Sequence, residues 1–263
     1  MPLVAASQTA ARALHPRDTR IPAIPPNVEP LVALDVLRVA LEALGRDRLA
    51  LSASFGPEDI VILDLLAALE PRPRVFTLDT GRLPQPTYDL MERVRARFGI
   101  DIEVFAPDAA AVESMVRDKG PNLFYESREN RLECCDVRKV QPLRRALASV
   151  DGWITGLRRD QIATRARTPK IGLDLANGLI WKVAPLADWT EDDVWTYIRE
   201  RDLPYNALHD EGYPSIGCAP CTRAVAPGED PRSGRWWWEL ADDRECGIHT
   251  RPSPTPSPTP SPA

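Results

Sequence analysis

The chain has 263 residues, 43% of them apolar, and a formal net charge of −5 at neutral pH. That is ample apolar material for one large buried core, and the acid excess leaves no electrostatic footprint for duplex DNA or RNA, while allowing a local basic pocket around a small anion. No apolar run approaches the roughly 20 residues needed to span a bilayer, and residues 1–20 lack the sustained apolar region of a secretory leader. The expectation is therefore a cytoplasmic protein with neither a membrane nor a nucleic-acid partner. The Arg-containing, acid-poor start up to Asp18 bears a faint likeness to an organelle transit peptide; a plain disordered tail is the simpler reading.

Proline marks both ends. Residues 16–30 carry Pro16, Pro22, Pro25, Pro26 and Pro30, and residues 252–263 alternate proline with serine and threonine, a composition that favours extended conformers and builds no core. Between them, apolar spacing predicts a helix over 31–44 stopped at Gly45, a buried strand over 48–54 and an amphipathic helix over 57–69 opened by Pro57. The cycle repeats with a strand over 74–78, a helix over 86–98 closed by Gly99, a strand over 101–105 and a helix over 109–119 closed by Gly120. Residues 135–148 read as a helix, and 152–155 and 180–183 as further strands. Thr190 then caps a helix whose first turn, Glu191, Asp192 and Asp193, complements the positive end of the dipole. The alternation predicts an α/β fold, an open, mostly parallel twisted sheet with helices on both faces.

In such sheets ligands sit at the carboxyl ends of the strands, so the turns there are where chemistry is expected. The first, residues 52–59, presents Ser52, Ser54, Phe55, Gly56 and Asp59 in a small-residue passage from strand to helix, where hydroxyls, amides and a helix start suit a phosphate or sulfate. It is not a Walker A loop. The second offers Asp79, Thr80, Gly81 and Arg82. The third contains Gly156 and Arg158 and runs on to Arg165, a dense set of anion donors.

Five cysteines divide into the adjacent pair Cys134 and Cys135, the C-A-P-C pair Cys218 and Cys221, and Cys246 near the end. In a reducing compartment clustered cysteines point to metal ligation or catalysis rather than bridges. Four thiolates complete a ligand set, and the fifth is then free to be a nucleophile. Tandem cysteines are awkward for a single tetrahedral zinc, whereas a cubane spreads its iron corners, so the spacing favours iron–sulfur; zinc and a redox C-x-x-C stay open at this level.

The run 134–143 (C-C-D-V-R-K-V-Q-P-L), the stretches 187–190 and 203–206, and the segments 212–218, 234–239 and 245–249 (E-C-G-I-H) together resemble the assimilatory sulfonucleotide reductases, over nearly everything but the two ends. The paired cysteines are similar to those of the adenylyl-sulfate reductases, which hold a [4Fe-4S] cluster. The resemblance implies a fold like that of the adenine-nucleotide α-hydrolases and PP-loop enzymes. It also implies adenosine 5'-phosphosulfate as substrate, sulfite and AMP as products, and thioredoxin as reductant, here expected to be a separate protein. Cys246 would take the sulfo group, Lys139, Arg232 and Arg235 would act on the anionic substrate, Arg138 would help to bind it, and His249 would assist Cys246.

The expected organisation is a flexible segment over 1–30, the reductase domain with its iron–sulfur site over 31–235, a mobile catalytic segment over 236–251 and a disordered tail over 252–263. The tryptophans 236–238 are expected to pack rather than stack on adenine. The alternatives are a reductase of the 3'-phosphorylated substrate and, in a different class, an ATP-dependent thiolation or tRNA-modifying enzyme with a Cys-ligated metal. The first loop departs from the S-G-G-x-D-S form that the latter would need. A homo-oligomer is compatible with the sequence, which does not fix the oligomeric state.

Overall fold

The computed structural model of the chain describes residues 22–239. Strands β1 (Leu49–Ser52), β2 (Arg74–Leu78), β3 (Ile102–Phe105), β4 (Gly152–Ile154), β5 (Ile171–Asp174) and β6 (Ile180–Val183) form one six-stranded sheet in the order β3-β2-β1-β4-β6-β5. Every neighbouring pair is parallel except β5 with β6. The helices are α1 (Ala33–Leu44), α2 (Pro57–Leu69), α3 (Gln85–Phe98), α4 (Ala109–Lys119), α5 (Arg128–Cys135), α6 (Gln141–Leu147) and α7 (Glu191–Glu200). The expected mostly parallel α/β sheet is thus the observed fold.

Short strands buried on both faces explain the near-continuous apolar runs. Leu51, Val75 and Ile154 point into the larger core with α1, α2 and α7, while their neighbours Ala50, Phe76 and Trp153 point into a second core closed by Leu143, Ala146 and Leu147 of α6. Thr190 caps α7 in a full capping box with Asp193.

Three local features differ from the sequence expectation. The edge strand β5 was not anticipated; it pairs antiparallel with β6 across a tight connection in which Gly178 and Leu179 take positive φ, at 88° and 58°. The helix expected over 135–148 begins earlier, at Arg128, where the Ser127 side chain accepts from the Asn130 amide. It then widens into a π turn over Asp136–Val140, in which the Gln141 amide donates to the Asp136 carbonyl, before α6 resumes. Pro142 has no N–H to give to the preceding turn, which accounts for the local change of hydrogen-bond pattern. Finally, residues 22–30 are anchored: Trp181 donates to the Pro22 carbonyl at 2.8 Å, Val28 is buried, and Glu29 accepts from the Lys170 amide at 2.9 Å.

After β1 the chain moves to β2 and β3 on one side of it, and after β4 to β6 on the other. The turns leaving β1 and β4 therefore flank a crevice at the reversal of strand order, the preferred ligand position in open α/β sheets.

Beyond α7 the polypeptide closes over this end of the sheet. A bridge between Thr222 and Arg235, with the Arg223 amide donating to the Gly234 carbonyl at 3.0 Å, sets Trp236 beside Cys221 and against α5. A Cβ on Gly234 would lie 2.4 Å from the Arg223 carbonyl oxygen, a backbone atom that cannot move aside. Gly234→Ala should accordingly lower the stability by about 1–3 kcal/mol in urea unfolding; an unchanged midpoint would show that the bridge is not rigid.

Candidate active site

The crevice between the turns after β1 and β4 is a cavity of about 430 Å³. Ser52, Ser54, Phe55, Gly56 and Asp59 from the first loop line it, together with Gly156, Arg158 and Arg165 from the third. Lys139, Arg232 and Arg235 complete it from elements far apart in sequence.

The first loop is held from within. Ser54 donates to the Asp59 carboxylate through both its amide, at 2.7 Å, and its hydroxyl, at 2.8 Å, so that hydroxyl braces the loop instead of pointing at a ligand. Phe55 sits at φ 62°, a left-handed conformation rarely held by a bulky residue and stored here in a buried position. Gly156 lets the two loops meet, because a Cβ there would come within 2.8 Å of the Glu58 Cβ and 2.9 Å of Asp59 Oδ1.

Arg158 is buried and saturated by protein carboxylates, donating to Glu58 at 3.0 Å and to Asp160 at 2.6 Å and 2.7 Å. Gln161 ties the same corner, donating to Glu58 and accepting from Arg165. Arg158 is thus a brace for the crevice wall, and Lys139, Arg165, Arg232 and Arg235 line the same cavity. Arg235 is 7% exposed, stacks on Trp236 with its Cζ 4.7 Å from the ring centroid, and has a buried Nε with no hydrogen-bond partner. Gly217 gives it room, since a Cβ there would meet the guanidinium at 2.2 Å.

The second turn serves a different place. Cys134, Cys135, Cys218 and Cys221 line one smaller cavity, and Arg82, Arg131, Arg138 and Lys139 line it with them. Thr80 Oγ1 lies 3.3 Å from Cys218 Sγ, Arg138 donates to the Thr80 carbonyl at 2.7 Å, and Asp79 accepts from the Gly81 amide and Tyr88. Of these residues, all expected to bind substrate, Arg82 and Arg138 line the cysteine cavity and Thr80 contacts Cys218, Asp79 and Gly81 bond to each other within the turn, and the flanking Leu78 and Leu83 line the crevice. Lys139, on the π turn, lines both.

Burial pushes the Cys221 thiol up to about 12 and raises Cys134 as well. Both stay protonated unless an electrophilic metal displaces the proton. The donor set fits an anionic thiolate-ligated group. Four sulfurs share one cavity, and two of the buried N–H donors lining it, Arg131 Nη1 and Arg138 Nε, have no nitrogen or oxygen acceptor. Among the described residues no group of three or more His, Cys, Asp or Glu side chains forms a single-ion metal site.

Trp195 and His209 line the crevice without having been singled out in the sequence, and Glu58, Thr155, Gln161 and Asn206 line it from turns and runs that the sequence pointed to without giving these residues a role. His209 stacks edge-on to Trp195 at 5.1 Å, and burial pulls its pKa down, leaving a neutral ring with Nε2 buried and unpartnered. Only tertiary closure brings the 206–209 turn to the crevice; the residues themselves read as an ordinary cap, with Asn206 accepting from the Leu208 amide. Trp237 and Trp238 pack on Tyr125, at 6.3 Å and 4.5 Å, as expected for a structural cluster. Trp236 also touches the crevice. Cys246 and His249 lie outside the described residues.

Residues 48–224 match the family model of the phosphoadenosine phosphosulfate reductase domain. The chain belongs to the PAPS/APS reductase family. It is 50% identical over 205 residues to the adenosine 5'-phosphosulfate reductase of Allochromatium vinosum, covering 78% of this chain and 80% of that one. It is 48% identical over 225 residues to the chloroplastic 5'-adenylylsulfate reductase 3 of Arabidopsis thaliana, covering 82% of this chain and 48% of that longer one. Among solved structures, the phosphoadenylyl-sulfate reductase of Candida auris in its phosphate complex superposes with a TM-score of 0.63 at 29% identity, over 74% of this chain and 91% of that one. Membership makes the protein an oxidoreductase.

Within this reductase fold Asp59 carries a testable electrostatic cost. Burial pushes its carboxyl up from 3.8 to about 6, opposed by the Ser54 donors and reinforced by Glu58. The folded state therefore holds this proton more tightly than the unfolded chain, and the group's contribution to stability falls as pH rises from 3.8 to about 6. Asp59→Asn stays neutral, so urea unfolding should show the variant gaining on wild type across that window, by up to about 3 kcal/mol, and gaining nothing further above it. A pH-independent difference would mean that Asp59 titrates normally.

Proposed function

We propose that the protein reduces adenosine 5'-phosphosulfate to sulfite and AMP in sulfate assimilation towards cysteine, through a sulfo group carried on Cys246, with thioredoxin as a separate electron donor in the cytoplasm. The observation that carries this reading is the pairing of an anion-adapted crevice with a four-cysteine cavity through one shared residue, Lys139. The names of the relatives from Allochromatium vinosum and Arabidopsis thaliana support the substrate.

The chemistry balances with thiols alone. The Cys246 thiolate attacks the sulfate sulfur, the S–O bond to the phosphate breaks, and AMP leaves with the bonding pair while an S-sulfocysteine forms. A donor thiolate then attacks the Cys246 sulfur, expelling sulfite and forming a mixed disulfide, which the donor's second thiol resolves. Two electrons pass from the dithiol to sulfur. Negative charge grows on the departing phosphate oxygens, so Lys139, Arg232 and Arg235 contribute most if they tighten there in the transition state. Their setting among buried walls strengthens that effect. The Asp59-braced loop, with Ser52, Phe55 and Gly56, and the Arg158 corner keep the crevice shaped before substrate arrives. His249, three residues after Cys246, is assigned to assist the thiol.

Cys134, Cys135, Cys218 and Cys221 would hold a [4Fe-4S] cluster, which when bound supplies fixed charge and rigidity next to Lys139 rather than electrons. The second substrate reading, the 3'-phosphorylated nucleotide, draws support from the likeness to the Candida auris enzyme.

Anaerobically purified protein should be brown, with about four iron and four sulfide per chain. Incubated with adenosine 5'-phosphosulfate and no reductant, it should carry the mass of SO3 on the peptide containing Cys246, and Cys246→Ser should abolish sulfite release while retaining substrate binding. Failure of that mass to appear there would overturn the mechanism, colourless zinc protein would overturn the cluster, and a higher kcat/KM for the 3'-phosphorylated nucleotide would overturn the substrate.

A further inference from the structure

The wall between the crevice and the cysteine cavity contains an ion pair that the chemistry above does not use. Glu239 accepts from Arg131 twice, from Nε at 2.5 Å and from Nη2 at 3.0 Å, across 108 residues of sequence and with side chains 8% and 1% exposed. Arg131 lies one helical turn before Cys135 on α5, lines the cysteine cavity and interacts with the Cys135 sulfur. Its Cζ also sits 4.5 Å from the centroid of Trp236, the same ring that Arg235 covers at 4.7 Å from the crevice side of the site. Trp236 is buried at φ 45°, and its carbonyl accepts from the Glu239 amide at 2.9 Å. One unbroken line of contacts thus runs from Cys135 through Arg131 and Trp236 to Arg235.

Stability alone is a weak reason for such a pair. Desolvating two charges costs much of what their attraction returns, and apolar replacements of similar shape are often neutral or better. The backbone strain at Trp236 likewise persists only where its surroundings over-determine it. What the pair does achieve is positional: it pins the end of the described chain to the helix that carries Cys134 and Cys135. From Glu239 to Cys246 is 246 − 239 = 7 residues, and an extended chain of that length reaches at most about 25 Å. The chain that leads on to Cys246 therefore leaves from this wall.

We propose that Arg131 and Glu239 form a positioning latch for sulfo transfer, fixing the root of the Cys246 segment and the Arg131–Trp236–Arg235 stack relative to the cysteine cavity. This rests on the proposed reductase chemistry. With the latch open, substrate still meets Lys139, Arg232 and Arg235, but the thiol is delivered from an unfixed root.

The test uses the full-length cluster-loaded protein, wild type, Glu239→Gln and Glu239→Asp. Four readouts are needed: steady-state sulfite release, iron content, melting midpoint, and the rate at which iodoacetamide alkylates Cys246 with AMP present. Glu239→Gln should lower kcat at least about tenfold with KM held within about twofold, keep its iron, and speed alkylation of Cys246 severalfold; Glu239→Asp should recover part of both losses. Wild-type kcat and alkylation in Glu239→Gln would overturn the latch. So would kcat and KM worsening together with a lowered melting midpoint in both variants, the mark of a merely structural pair. Wild-type protein that forms no sulfo adduct on Cys246 would instead overturn the reductase chemistry itself, so the two failures are told apart in the first lane.

Discussion

Charge buried at the carboxyl edge of the sheet has to be met by charge of the opposite sign or by hydrogen-bond donors, and most of the architecture around the crevice follows from that requirement. Arg158 is spent on Glu58 and Asp160, Arg131 on Glu239, and the Asp59 carboxylate on the donors of Ser54. These internal pairings build walls that cannot collapse without leaving an ion stranded in a low-dielectric interior. Lys139, Arg165, Arg232 and Arg235 line the opening between these walls. An anion entering such a site replaces water with cations already in place, which is the condition under which electrostatic stabilisation of a leaving group is strongest.

The same edge is also where the backbone departs from regular geometry. Phe55 and Trp236 both hold positive φ while buried, and the helix carrying the paired cysteines opens into a π turn immediately after Cys135. Each departure re-aims a functional group: the first loop turns into α2, Trp236 turns under two guanidinium groups, and the π turn swings Arg138 and Lys139 towards the cysteine cavity. Strain and irregularity gather where the site is, as expected when the surrounding core over-determines them.

Much of the fold could be read directly from residue order. Alternating strand and helix runs, Gly stops at Gly45, Gly99 and Gly120, and the Thr190 cap all act through neighbours in sequence, so their signals are local. The edge strand β5 could not be read, since it depends on a partner strand and on positive φ at Gly178 and Leu179. Site residues divide the same way. The loop 52–59 announces itself by composition, whereas Trp195 and His209 have nothing local to mark them, and the turn 79–82 belongs with the cysteines only because Thr80 and Arg138 meet in space.

Sequence by itself determined the class of fold, the cysteine inventory and the family, because periodicity, count and motif are properties of order along the chain. Only the tertiary structure decided which anion donors face the crevice, which are consumed in its walls, and that Arg131 and Glu239 close one wall across 108 residues. The physical reason is that a charged side chain has the same identity whether it is paired or exposed, and pairing is set by distances that the order of residues does not contain.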